Sequence, residues 1–132
     1  MLEVFCDGGS RGNPGPSAFG FVIYKDAGVV KEGFGYLGIE TNNFAEYTAL
    51  IKALEWLSDN YPQKEVKVMM DSQLVVSQLS GTYKVKSAKI RNLVFKVRQL
   101  EPNFSRIDYV HIIREKNRHA DSLVNRALDN RG

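Results

Sequence analysis

Cysteine occurs once in the 132 residues, as Cys6, so an internal disulfide is excluded and a reducing compartment is the simpler setting. Histidine occurs only twice, which leaves no Cys/His cluster of the kind that holds zinc. The chain has no apolar run near the roughly 20 residues of a membrane span. Its start, MLEVFCDGG, lacks the basic and then apolar stretch of a signal peptide. The expected location is therefore cytoplasmic. Low-complexity stretches, internal repeats and Pro/Gly/Ser-rich linkers are also absent, and the length suits one domain, residues 1–132. A chain of this size buries roughly two thirds of its unfolded surface and needs no disulfide or metal staple to fold.

Charge is present but unevenly placed. Residues 1–80 carry six Lys or Arg against ten Asp or Glu, whereas residues 81–118 carry ten against three. An acidic part and a basic segment in one domain suit a protein that meets phosphates with one surface and cations with another. A solvated, lysine-bearing helix is the competing reading of the basic segment.

Hydropathy gives the elements. Leu2, Val4 and Cys6 alternate with Glu3 and Phe5, predicting a first strand that ends at Asp7. Residues 8–17 read as a Gly/Pro/Asn/Ser loop. Strands are expected over 18–25 and 29–37, joined by a tight turn at Asp26-Ala27-Gly28. Thr41 and Asn42 are cap-type residues before a helix over 43–58. A short strand over 66–70 ends at Asp71. Ser72 then caps a helix through Leu79, and a longer helix covers 87–100, stopping at Pro102. Ile107, Tyr109, His111 and Ile113 alternate as a last strand. A final helix over 117–128 has Ala120, Leu123, Val124, Ala127 and Leu128 on one face. An antiparallel three-strand meander followed by alternating units predicts an α/β fold, with one mixed sheet flanked by helices.

Four carboxylates stand out. Asp7 and Asp71 fall where strands end, the place where ligands gather in an α/β sheet. A turn-forming role is the alternative for Asp7. Glu46 shares the helical stripe of Ala49, Leu50, Ala53 and Leu57. A carboxylate there must be paired, protonated or metal-bound, because burying it bare costs several kcal/mol. Service to the helix dipole is the alternative for both Glu46 and Asp121. Four acids gathered at one sheet edge would repel and raise one another's pKa values unless divalent cations neutralise them. An all-oxygen ligand set suits Mg²⁺ or Mn²⁺. Two such ions, roughly 4 Å apart, would serve phosphodiester cleavage.

At these residues the chain resembles the type 1 ribonuclease H family. The likeness is carried by Asp7-Gly8-Gly9-Ser10-Arg11-Gly12-Asn13-Pro14-Gly15, Thr41-Asn42-Asn43-Phe44-Ala45-Glu46, Asp71-Ser72-Gln73 and Asn117-Arg118-His119-Ala120-Asp121, in that order, and spans essentially the whole chain. It implies the ribonuclease H-like fold, with a five-stranded mixed sheet. It implies that Asp7, Glu46, Asp71 and Asp121 are catalytic metal ligands, with Asp7 bridging two ions, Glu46 and Asp71 on one side and Asp121 on the other. It implies that Asn13, Asn42, Asn43 and Gln73 contact an RNA/DNA hybrid in its minor groove, where the 2′-hydroxyls mark the RNA strand. Thr41 would help hold a DNA-strand phosphate, although capping explains Thr41 and Asn42 equally well.

Two departures from the family pattern matter. The segment from Leu79 to Lys86 stands where many bacterial members have a long basic helical insertion, and the only tryptophan is Trp56. Tyr83, Lys84, Lys86 and Lys89 are the candidates to grip the DNA strand instead. The loop before the last helix, Ile113 to Lys116, lacks the histidine that many members carry there. His111 is expected to be a packed structural residue, His119 to face away from Asp121, and Arg114 to steady a phosphate. The activity implied is metal-dependent cleavage of the RNA strand of RNA/DNA hybrids, giving 5′-phosphate and 3′-hydroxyl ends, by a monomer. The rivals are a same-fold nuclease that also cuts double-stranded RNA and a catalytically silent hybrid-binding module.

Overall fold

The computed structural model describes residues 1–131. Five strands form one sheet in the order β3-β2-β1-β4-β5: β1 Leu2–Ser10, β2 Gly15–Lys25, β3 Gly28–Glu40, β4 Glu65–Met70 and β5 Arg106–His111. β1, β2 and β3 pair antiparallel, whereas β4 runs parallel to β1 and β5 parallel to β4. The helices are α1 Asn42–Asn60, α2 Gln73–Leu79, α3 Ala88–Leu100 and α4 Arg118–Asp129. The expected mixed α/β architecture and element order are both present.

Strand alternation divides the sheet into two faces. Leu2, Val4 and Cys6 of β1, Phe21 and Ile23 of β2, and Val66, Val68 and Met70 of β4 join one core with α1, α2 and α3. The apolar stripe of α1, including Ala49, Leu50, Ala53, Leu54 and Leu57, is fully buried in it. The opposite face carries α4, whose Val124, Ala127 and Leu128 pack with Ala18 of β2 in a second, smaller cluster. Hydroxyl caps set three of the helix starts. Thr41 accepts from the Phe44 amide, Ser72 from Val75 and Ser87 from Ile90.

The strands of the meander are longer than the hydropathy pattern predicts. β1 continues through Asp7 to Ser10 and β2 begins at Gly15, so the expected loop over 8–17 shrinks to Arg11–Pro14. The glycines that signalled a loop serve close packing instead. A Cβ on Gly8 would lie 2.2 Å from the Ala45 carbonyl carbon and 2.3 Å from the Glu46 amide nitrogen. On the other face, a Cβ on Gly20 would lie 2.7 Å from the Ala120 carbonyl oxygen. Both helix backbones therefore rest almost directly on the strands. The Asp26–Ala27 turn has positive φ at both residues, as a type I′ hairpin turn requires.

Parallel pairing of β1 with β4 ends at Cys6–Met70, while β1 and β2 remain paired out to Ser10–Ser17. The meander thus overhangs the parallel half of the sheet, and Asp7 is the first residue of the overhang. Gly8→Ala should lift α1 off β1 at this point. Overpacking of this kind costs about 1–3 kcal/mol, to be read as a lower midpoint in urea denaturation together with weakened divalent-ion binding.

Candidate active site

Where β4 stops, β1 and the first turns of α1 and α4 surround an open cavity of about 400 Å³, lined by Asp7, Glu46, Asp71, Asp121, Asn42 and Arg114 among others. Asp7 comes from β1, Asp71 immediately follows β4, Glu46 lies in the first turns of α1 and Asp121 in the first turn of α4. Asp7, Glu46 and Asp71 each offer an oxygen, all within 4.8 Å of one another. Asp121 stands at the rim of the same cavity, outside that tighter trio, with its side chain 32% exposed.

This proximity is electrostatically costly. Burial first, then the Asp71 and Asp121 charges, push Asp7 up to about 8. Burial, then Asp7 and Asp71, hold Glu46 well above the ordinary carboxylate range. Asp71 is also raised by burial, an effect opposed by the Asn117 amide and by Arg114. The Gly8 amide donates to Asp7 Oδ1 at 3.0 Å, and Glu46 Oε2 is buried without a hydrogen-bond partner. Adjacent carboxylates with an orphaned oxygen fit a hard divalent cation, which would satisfy that oxygen and cancel the repulsion.

The other expected site residues divide into groups. Asn42 lines the acid cavity, and its Oδ1 accepts from the Ser10 amide at 2.8 Å. Asn13 Oδ1 accepts from the Asn42 amide at 3.1 Å, which ties the Arg11–Pro14 turn to the start of α1. Asn13, Thr41, Asn42 and Asn43 line a second cavity of about 530 Å³ with Leu74, Ser87 and Lys89, so Asn42 borders both. Gln73 is exposed in the first turn of α2 and lines neither cavity. Tyr83, Lys84 and Lys86 are exposed between α2 and α3, also outside both. Lys89 is not a free cation, because its Nζ lies 2.8 Å from Glu40 and 4.7 Å from the centre of the Phe44 ring.

The two histidines behave differently. His119 bonds Tyr24 and Glu32 on the face away from the acids, as expected from its helical position. His111 corrects the expectation of a packed structural residue. It is the last residue of β5, opposite Met70 where the pairing of the two strands ends, and it is exposed. It lies close enough to Asp71 for its charge to favour the ionised carboxylate. Arg114 occupies the cavity wall, 80% exposed and 3.9 Å from Asp121, a geometry that contributes little as an ion pair.

Asn117 is the site residue that the sequence reading passed over. Read as the start of the last helix, it makes no side-chain cap. It is buried instead, and its Nδ2 donates to the Cys6 carbonyl at 2.9 Å and lies 3.4 Å from Asp71 Oδ2. The available signal was its spacing: three and seven residues before Ala120 and Val124, Asn117 extends the buried stripe of α4 by one turn.

Raised carboxyl pKa values have a signed consequence for stability. Between about pH 4 and pH 8 the unfolded chain ionises Asp7 while the folded chain keeps it protonated, so this group lowers stability as pH rises through that window. In EDTA, the melting temperature should therefore fall from pH 5 to pH 8, less steeply in Asp7→Asn. Divalent ions should flatten the fall, and calorimetry in buffers of different ionisation heat should detect protons released on ion binding.

Comparison with known proteins agrees with this geometry. A family described as reverse transcriptase-like matches residues 5–127. The ribonuclease HI of Halobacterium salinarum is 41% identical over 129 residues, covering 97% of this chain, and the chain spans 64% of that protein's length. A ribonuclease H of Methylobacillus flagellatus is 32% identical over 145 residues, covering 98% of this chain and 92% of that protein. The crystal structure of LC11-RNase H1 in complex with an RNA/DNA hybrid superposes with a TM-score of 0.95 at 41% identity, covering 99% of each chain. A match this complete, in sequence and in backbone alike, places the chain in the ribonuclease H family.

Proposed function

We propose that this chain hydrolyses the RNA strand of RNA/DNA hybrids in a divalent-cation-dependent reaction that leaves 5′-phosphate and 3′-hydroxyl ends. The observation that carries the reading is the trio Asp7, Glu46 and Asp71, crowded at the end of β4 with an orphaned Glu46 oxygen and opening on a polar cavity. Purely structural carboxylates would gain nothing from such crowding, which costs stability unless a cation is present.

Asp7, Glu46 and Asp71 would hold Mg²⁺ or Mn²⁺, with Asp121 at the rim completing a two-ion set. When bound, the ions would supply an activated water and neutralise charge at the leaving oxygen. The chain's own residues present the substrate. Asn42 lies between the acid cavity and the second cavity, where Asn13 and Asn43 offer amide groups that both donate to and accept from a 2′-hydroxyl. Thr41 completes this polar border, and Gln73, outside both cavities, would meet the hybrid from the exposed start of α2. Arg114, exposed and only loosely held by Asp121, is free to meet a phosphate.

The second cavity leads to α3. Residues 81–100 carry six cations and no acid. Lys89 and Arg98 are engaged with Glu40 and Glu101, while Lys84, Lys86 and Arg91 are exposed and carry no salt bridge among the described residues. Tyr83 and Phe95 are exposed on the same segment. Cations interleaved with aromatics suit a nucleic-acid backbone, and this segment takes the place of the missing basic insertion in the reading offered here.

Two experiments test the proposal. End-labelled RNA/DNA hybrid, double-stranded RNA and double-stranded DNA are incubated with Mg²⁺, Mn²⁺ or EDTA. Cutting of the hybrid's RNA that EDTA stops is the expected result, and hybrid bound but uncut in every metal would leave a binding module. Asp71→Asn should lower kcat by more than the about 10–100-fold typical of groups that only support a ligand, with hybrid binding retained. In the second experiment, a triple Lys84→Ala, Lys86→Ala, Arg91→Ala variant should flatten the salt dependence of hybrid affinity by about one logarithmic unit of slope per lost phosphate contact. An unchanged slope would place the DNA strand elsewhere.

A further inference from the structure

We propose that Asn117 is a positioning residue for the candidate metal site, fixing the direction in which the Asp71 carboxylate points; the proposal rests on the divalent-ion reading of that site. Of the three close acids, Asp7 and Glu46 are fixed by burial, whereas Asp71 is only partly buried, at a strand end where its side chain has room to swing outward. Asn117 supplies the restraint.

The anchor is the bond from Asn117 Nδ2 to the Cys6 carbonyl, at 2.9 Å. Cys6 is the residue before Asp7 and the last one that β1 pairs with β4. The same nitrogen lies 3.4 Å from Asp71 Oδ2. One amide therefore links the end of β1, the residue after β4 and the start of α4, three elements that each deliver an acid to the cavity. Both neighbours of the nitrogen are acceptors only, so the amide cannot be turned the other way without setting its oxygen against a carbonyl and a carboxylate. With Oδ2 restrained from behind, the other Asp71 oxygen is left to face the cavity. Asn117 is 1% exposed and cannot itself reach a substrate.

The orientation is kept at a cost. Asn117 Oδ1 is buried without a partner, and the α4 start forgoes a side-chain cap, although asparagine is among the residues that cap best. A residue selected only to begin a helix would turn its side chain to the helix amides. One placed only to fill space would be apolar.

The test is Mn²⁺ affinity, measured calorimetrically on the chain without nucleic acid, for the wild type, Asn117→Ala, Asn117→Ser and Val97→Ala. Val97 is a fully buried α3 residue that does not line the acid cavity, so its truncation controls for general destabilisation. Asn117→Ala should weaken Mn²⁺ binding about 10–100-fold and lower kcat with little change in KM for hybrid. Val97→Ala should lower the melting temperature and leave Mn²⁺ affinity unchanged. Should Asn117→Ala fail to fold, Asn117→Ser carries the same comparison, because its hydroxyl is one bond too short to reach both the Cys6 carbonyl and Asp71. If the wild type binds Mn²⁺ and the Asn117 variants bind it as tightly, the positioning role is overturned while the metal site stands. If the wild type binds no Mn²⁺, the metal reading falls and this inference with it.

Discussion

The structure is organised around a repulsion. Three carboxylates meet within 4.8 Å at the end of one parallel strand, and two of them are almost completely shielded from water. No amount of apolar packing makes that favourable by itself, since an ionised carboxylate in a poor dielectric is stabilised only by protons, donors or cations. Protonation is the metal-free answer, because burial and the neighbouring acids hold Asp7 and Glu46 far above their ordinary range. A cation is the functional answer. Everything nearby keeps the acids from escaping: the Gly8 contact that seats α1, the Gly20 contact that seats α4, and the amide of Asn117 between two strand ends.

Much of this was legible before the coordinates. The mixed sheet, the order of elements and the apolar faces of α1 and α4 follow from alternation and from helical spacing, because each reports directly which side of an element is buried. Glu46 was conspicuous for the same reason, as an acid on a buried stripe. Strand ends were less legible. Gly8, Gly9 and Gly15 look like loop residues in one dimension, and only the approach of the Ala45 and Glu46 backbone shows why a strand must lack a side chain at position 8. Local spacing likewise made His111 a packed residue, because a sequence does not show that the edge strand β5 ends at this residue and leaves it exposed.

Asn117 and Lys89 are instructive in opposite directions. Asn117 had the spacing of a buried residue, and the fold buries it, but at the head of the last helix it drew no role from the sequence. Lys89 had the identity of a phosphate contact, yet Glu40, far off in sequence, neutralises it beside the Phe44 ring. Charge runs count ions without showing their partners. The cations of residues 81–100 that survive this pairing, Lys84, Lys86, Arg91 and Lys96, are the ones left to attract a polyanion.

Asp7 and Gly8 are successive residues of β1, so the acid faces the α4 layer while the glycine faces α1. Glu46 reaches the cluster from α1 and Asp121 stands over it from α4, which means that the two helix layers close on the sheet end like the jaws of a calliper. A sideways slip of either jaw changes the gap between carboxylates almost one for one. The opening is thereby gauged by backbone contacts at Gly8 and Gly20, which bend little, and not by side-chain rotamers alone.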